Sequence, residues 1–391
     1  MNTLFLAAQY LNYHRLRTLL LVAAITLVIY VPVALHVVVS ESSAQLTRRA
    51  DATPLVLGRA GSPVDLVLNA LYFGAAQNPA LDYGTVDQIN QSGLARGIPL
   101  HTRFNSRGYA IVGTTLEYLT FRGLTLARGR QFALPGEAVI GAAVASDLQL
   151  AIGDSLISSP ETVFDLAGVY PLKMTVVGIL APMLSPDDGA ILVDVKTTWI
   201  IQGLGHGHQD LSAPEARSAV LKRQGDTVVA NASVVQYNEI TADNIASFHF
   251  HGDLAHYPIN AVLPVTTNEK NKALLLGRYT EQLQQLQLVE PGHVVAELID
   301  TLLHIERFVQ WAMLLVGAAT ALVILLVFML SHRLRHGEFL TLKRIGSAPR
   351  QLLLLQTTEF AMVLGASLVL VAALTYLTRT WGSALVQSQF L

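Results

Sequence analysis

Residues Leu19–Val39 read LLLVAAITLVIYVPVALHVVV, 21 positions without a formal charge. At 1.5 Å of rise per residue such a run makes a helix of about 30 Å, the thickness of a bilayer's hydrocarbon core. Pro32 inside it predicts a kink, which membrane helices tolerate when neighbours satisfy the freed carbonyl. A cleaved leader peptide carries an apolar stretch of only about 7–15 residues, so a retained span is the better reading. Two further runs have the same character: Phe308–Leu330 (FVQWAMLLVGAATALVILLVFML) and a helix over 352–377 centred on Phe360–Leu377 (FAMVLGASLVLVAALTYL). Composition agrees. The 391 residues are 52% hydrophobic and 14% charged, where soluble domains carry about 25% charged residues.

Basic flanks orient these spans, because short cytoplasmic segments accumulate Lys and Arg. His14, Arg15 and Arg17 precede the first span with no acidic residue before them. The link at 331–351 holds Arg333, Arg335, Lys343, Arg344 and Arg350 against the single acid Glu338. Both flanks are therefore read as cytoplasmic, with 41–306 and the tail 378–391 outside. Arg48 and Arg49 pull weakly the other way. Within residues 1–18, Leu4, Phe5, Ala8 and Leu11 share one helical face. That suits a short helix lying on the inner membrane surface, or equally a cytoplasmic extension of the first span.

Between the first and second spans lie roughly 265 residues, enough for a hydrophobic core of its own. Strand-like runs occur at Tyr109–Val112, Ala138–Ile140, Met174–Ile179, Ala190–Val195 and Ala261–Val265, punctuated by Gly and Pro. Helical patterns occur at Ser62–Tyr72, Ala143–Gln149, Lys270–Leu286 and Val294–Ile305. The mixture predicts an α+β domain, and its last helix leads into the second span without a breaker.

Several stretches resemble the FtsX-like, or MacB-type, permeases of ABC transporters. They are the entry segment Tyr10–Leu21, then Leu55–Tyr72 (LVLGRAGSPVDLVLNALY), Val112-Gly113-Thr114 and Leu126–Phe132 (LARGRQF). Val139-Ile140-Gly141, Leu148–Asp154 (LQLAIGD) and Val176–Leu180 (VVGIL) follow in order. In the cytoplasmic link, Arg335, Glu338, Leu342, Lys343, Arg344, Ile345, Gly346 and Ser347, followed by Glu359, are similar to the family's R-x-x-E-x-x-x-L-K/R-x-I-G-A/S pattern. The resemblance implies a MacB-like periplasmic core domain, an inner-membrane location and a dimer with a second permease copy or paralogue. It also implies a separate cytoplasmic ATPase docked on Arg335, Glu338, Leu342, Lys343, Arg344, Ile345 and Gly346. The family has one span before the domain and three after it, whereas two are read after it here. No G-x-x-x-x-G-K-[ST] phosphate loop occurs, so ATP is expected on the partner subunit. Glu359 enters the third span, where a carboxylate is costly. An interfacial position or a pairing with Arg344 or Arg350 would relieve that cost.

Other chemistry is narrow. There is no cysteine, which excludes disulfides and thiolate sites. A net charge of −2 gives no footprint for nucleic acid. Neither a G-x-S-x-G elbow nor an H-E-x-x-H motif is present. Five of the twelve histidines fall in GHGH (205–208) and FHFHGDLAH (248–256): His206, His208, His249, His251 and His256. On strands, alternate imidazoles share a face, so the two segments could together hold Zn²⁺, with Asp210 or Asp253 as an oxygen ligand. Polar loops or half-buried histidines fit the same pattern. The alternative to a permease is a membrane-anchored metal-binding or sensor protein without an ATPase. A periplasmic protein and membrane lipid complete the expected partners.

Overall fold

A computed structural model describes residues 3–74, 78–159, 171–209, 220–224, 227–230, 237–282, 285–334, 337, 340–341, 344, 346 and 348–390. The chain divides into two units, Met1–Leu46 with Leu298–Phe390, and Thr47–Glu297. It opens with α1 (Thr3–Tyr13) and α2 (Arg15–Asp51). Pro32 lies inside α2, and the helix is continuous across it.

The second unit runs through β1 (Val56–Arg59), α3 (Pro63–Tyr72), β2 (Leu81–Asp82), α4 (Gly84–Gln91), β3 (Ala95–Ser106), β4 (Tyr109–Thr114) and α5 (Leu116–Arg122). It continues with β5 (Leu126–Gly129), β6 (Glu137–Ile140), α6 (Ala142–Asp147), β7 (Ser155–Ile157), β8 (Lys173–Leu180), β9 (Ala190–Asp194) and α7 (Val195–Ile201). Last come β10 (Gly205–Gly207), β11 (Val220–Gln224), β12 (Thr227–Ala230), β13 (Phe248–Phe250), β14 (Pro258–Ile259), β15 (Ala261–Thr266), α8 (Glu269–Gln282) and β16 (Leu286–Val289). Ten strands form one mixed sheet in the order β16-β1-β15-β3-β4-β9-β6-β8-β5, with β7 added beside β8. The α+β expectation holds.

Local chemistry explains the elements. Ser62 caps α3 by accepting from the Asp65 amide at 3.2 Å, and Pro63 opens the helix where its missing N–H costs nothing. Asp194 does the same for α7 through the Lys196 amide at 2.8 Å. β3 and β4 form a hairpin whose two loop residues, Arg107 and Gly108, both have positive φ, the geometry that matches strand twist. One apolar core gathers around Phe104, Ile111, Ile140, Met174 and Ile191, another around Trp199, Leu57, Ile89 and Ile259.

One expectation shifts. The helix expected over Lys270–Leu286 ends at Gln282, and Leu286–Val289 is instead strand β16. That strand completes β1, pairing Val56 with Val289 through to Arg59 with Leu286, because β1 would otherwise leave a row of backbone groups open at the sheet edge. β1 itself lies in a stretch read only as a family motif.

The helical unit contains α1, most of α2, most of α9 (Pro291–Leu334) and α10 (Pro349–Phe390). Among the described residues, two helices are long and apolar enough to cross a membrane, Arg15–Val38 and Pro349–Thr380. The third expected span lies within α9, where the described apolar stretch is the shorter Gln310–Leu322. A soluble core helix hides its apolar side. Here Leu19, Leu20 and Leu27 of α2 and Leu353, Val369 and Tyr376 of α10 are largely exposed. Polar contacts tie α2 to α10: Ser367 Oγ donates to Val22 O (3.3 Å), Tyr30 Oη meets Thr378 Oγ1 (2.7 Å), and Arg379 Nε donates to Glu41 Oε1 (3.2 Å). Glu359 is buried within this unit, whereas Arg344 and Arg350 are exposed.

One buried base gives the second unit a pH dependence. His101 on β3 donates from Nδ1 to Thr198 Oγ1 at 2.8 Å, since that hydroxyl already donates to Val195 O. Burial, reinforced by the charge of Arg103, drives the ring down to about 3. The folded ring therefore stays neutral to about pH 3, while the unfolded one protonates near 6.5. Between those values the unfolded chain binds more protons, so stability falls as pH drops through that window. We predict that the thermal unfolding midpoint of the full chain in detergent declines between pH 7 and pH 5. The decline should be shallower in His101→Gln, measured by circular dichroism; equal slopes would count against this assignment.

Candidate functional site: a histidine face and a buried arginine clasp

β10 and β13 pair antiparallel, with Gly205 opposite Phe250, His206 opposite His249 and Gly207 opposite Phe248. Because side chains alternate along strands, the imidazoles take one face of this ribbon and the phenyl rings the other. Phe248 and Phe250 pack against the apolar core, and Phe250 also meets Trp199 edge-on at 6.2 Å. The glycines make room for those rings. A Cβ on Gly205 or on Gly207 would stand 2.5 Å from the facing phenylalanine. Tyr257, itself buried against Trp199, closes the ribbon's end. Its hydroxyl accepts from the His251 amide (3.0 Å) and faces the carbonyls of His251 (2.9 Å) and Leu204 (3.1 Å).

Four imidazoles therefore converge. Ring centroids are 4.8 Å apart for His206 and His249, 5.2 Å for His208 and His249, 5.1 Å for His206 and His251, and 4.8 Å for His249 and His251. Ligand-capable nitrogens of His206, His208 and His249 lie within 4.8 Å of one another. Nδ1 of His208 is 2.8 Å from Gln209 O, and Nδ1 of His249 is 2.9 Å from Ser247 O. A carbonyl only accepts, so both Nδ1 atoms carry hydrogen and both Nε2 atoms keep a lone pair. Burial, then the neighbouring imidazoles, pushes the His206 ring below its usual value.

The fifth histidine does not join them. His256 is exposed, with Nδ1 3.4 Å from Asp82 Oδ2. Asp253 caps a short turn by accepting from the Ala255 amide at 2.9 Å, and Asp210 lies outside the described residues. In the expected docking segment, Arg335, Glu338, Leu342, Lys343, Ile345 and Ser347 also lie outside them. Arg344 is helical and exposed, and Gly346 sits in a turn at φ 102°, consistent with a helix end.

A second cluster had no sequence signal. Arg49, in the last turn of α2, donates from Nη1 to Asp187 Oδ2 at 2.5 Å and from Nη2 to Asp187 Oδ1 at 3.2 Å and Tyr118 Oη at 3.0 Å. Its Nε donates to Leu71 O. Tyr118 Oη donates in turn to Asp187 Oδ1 at 2.7 Å. The Arg49 and Asp187 side chains are 8% and 1% exposed. Burial alone would push the Asp187 carboxyl up; the Arg49 charge and these hydrogen bonds override it and hold it below the ordinary value. Burial, with the Asp187 charge beside it, pushes Tyr118 up to about 12. The turn carrying Asp187 lies across Gly141, where a Cβ would stand 2.1 Å from Asp188 O. Packing thus accounts for the glycine of the Val139-Ile140-Gly141 stretch. Arg49, read as a weak topological charge, is instead a buried anchor.

A family model described as the MacB-like periplasmic core domain matches residues 18–244, more than half of the chain. The chain belongs to that family. The likeness read from its motifs to MacB-type permeases is borne out. No curated protein sequence matches it. Similar solved structures include the periplasmic region of MacB from Actinobacillus actinomycetemcomitans, at 8% identity and TM-score 0.35, covering 62% of this chain and 91% of that one. Another is the extracellular domain of the noncanonic ABC-type transporter YknZ from Gram-positive bacteria, at 13% identity and TM-score 0.32, covering 60% and 98%. Membership rests on the family match rather than on these two. In this MacB-like chain the clasp lies inside the matched residues, as do His206 and His208, whereas His249 and His251 lie beyond them.

Breaking a buried ion pair from one side leaves the other charge stranded, at a cost of about 3–5 kcal/mol, while replacing both partners by apolar groups is often neutral. Arg49→Met should therefore lower the unfolding free energy by about that amount. Arg49→Met with Asp187→Leu should recover most of it. Denaturant unfolding of the full chain in detergent reads both, and a double variant no better than the single would contradict the clasp.

Proposed function

We propose that this chain is the membrane subunit of an ABC transporter, a permease coupling a separate cytoplasmic ATPase to movement of its extracytoplasmic domain. The observation that supports this most is how a MacB-like domain is carried. Both connections from apolar segments into it are single unbroken helices, α2 over Arg15–Asp51 and α9 over Pro291–Leu334. A 44-residue helix is about 66 Å long, roughly twice a hydrocarbon core. In this reading these two helices would carry the displacement. The Arg49 clasp would fix the end of the first one inside the domain.

In this reading 331–351 faces the cytosol between spans 308–330 and 352–377, and 41–306 faces the periplasm of a bacterial inner membrane. The ATPase would dock on Arg335, Glu338, Leu342, Lys343, Arg344, Ile345 and Gly346, with a second permease copy or paralogue completing the assembly. The stroke would enter there and leave through α9, so that the domain pushes, extracts or regulates a periplasmic protein or lipid. ATP would be bound by the partner alone, because this chain contains no phosphate loop of its own. The histidine face favours one rival, a membrane-anchored metal-binding or sensor protein without an ATPase.

Deleting residues 338–346 should abolish co-purification with an ABC ATPase from native membranes while leaving membrane insertion intact. Undiminished co-purification would remove the docking assignment, and absence of any ATPase from the wild-type complex would favour the rival. A reporter fused near residue 340 should be active on the cytoplasmic side; periplasmic activity would reverse the machine.

A further inference from the structure

We infer that the outward face of the β10–β13 ribbon is a binding site for a Zn²⁺-class divalent ion, held by His206, His208 and His249 with His251 beside them. The inference does not depend on the transporter reading. Zinc coordinated by imidazole has Zn–N distances of about 2.0–2.1 Å, which places tetrahedral donor atoms about 3.4 Å apart. The three nitrogens already lie within 4.8 Å of one another, so small side-chain rotations close the set.

Three features make this a built site rather than a chance gathering. First, the tautomers are set: Gln209 O and Ser247 O hold Nδ1 of His208 and His249, which leaves Nε2 of each to coordinate. Metal-bound histidines characteristically place their second nitrogen in such a bond. Second, the backbone is anchored from beneath. Phe248 and Phe250 are seated in the core over Gly205 and Gly207, and Tyr257 bridges Leu204 and His251 where the ribbon ends. A site held by packed strands keeps its ligands near productive geometry. Third, the donor chemistry is selective. The set is neutral nitrogen, with no thiolate anywhere in the chain and no carboxylate grouped with it among the described residues. Imidazole donors suit zinc, copper and nickel, whereas magnesium and calcium require oxygen. Three or four imidazoles without a redox-tuning sulfur ligand fit zinc best.

A bound ion would join two segments that are neighbours only in space. His208 and His249 are 41 positions apart in the sequence, so coordination would cross-link distant parts of the chain. An ion that binds the folded chain and not the unfolded one raises the unfolding midpoint, by an amount that grows with the logarithm of its free concentration above Kd.

The test uses the full chain in detergent, purified on a tag that contains no histidine and stripped with a chelator. Zn²⁺ is titrated in competition with a chromophoric chelator, and unfolding is followed in parallel. Saturable binding of one equivalent, a raised midpoint and, with Co²⁺, the intense visible absorption of a tetrahedral nitrogen site are expected. His206→Gln with His249→Gln should abolish all three. His208→Gln alone should weaken affinity by about tenfold or more. His256→Gln should change nothing, since that ring pairs with Asp82 instead. If zinc-free unfolding shows the double variant misfolded, the His208→Gln result decides. No saturable binding by the wild type overturns the assignment, as does binding unchanged in folded double or His208→Gln variants.

Discussion

A guanidinium removed from water must be met by whatever surrounds it, and Arg49 is met on every side: by the Asp187 carboxylate, the Tyr118 hydroxyl and the Leu71 carbonyl. Those partners come from the turn after β8, from α5 and from the end of α3. One side chain at the end of α2 therefore reads the correct placement of three other elements. The desolvation cost makes the arrangement unforgiving, because a missing partner leaves a charge that the interior cannot solvate. The family-matched glycine at 141 belongs to the same constraint, since the turn bearing Asp187 can lie where it does only over a residue without a Cβ.

Much of the architecture was legible because it rests on local pattern. Apolar length marked α2 and α10. The helical pattern over Ser62–Tyr72 marked α3, and strand-like runs marked β4, β6, β8, β9 and β15. What escaped depends on partners distant in the chain. β1 and β16 are four-residue strands whose identity comes from pairing with each other across more than 200 residues. Most of β3 reads as mixed and polar, ARGIPLHTRFNS, and becomes a strand because β15 and β4 flank it. Leu286 looked like the end of a helix until an open edge claimed it.

The candidate site divides along the same line. GHGH and FHFH each display a period of two, so a shared imidazole face was readable from either segment. That His206 would stand opposite His249 was not, because register is a property of the pair. His256 belonged to the same written cluster and folds elsewhere, since the turn at Asp253 carries the chain away after His251. The clasp left no trace at all. Arg49 sits in a basic flank and Asp187 in a Ser-Pro-Asp-Asp-Gly turn, and each is unremarkable until the two meet 138 positions apart.

The alternation of phenylalanine and histidine along β13 makes hydrophobicity the guardian of polar geometry. A slip of one residue would turn the phenyl rings to solvent and the imidazoles toward the core, a loss on both faces. Any mutation tolerated in this ribbon must therefore keep the registration, and with it the mutual spacing of the four rings. Selection acting only on solubility and folding would preserve the constellation as a by-product. Conversely, enlarging Gly205 or shrinking Phe250 would disperse the imidazoles without touching one of them.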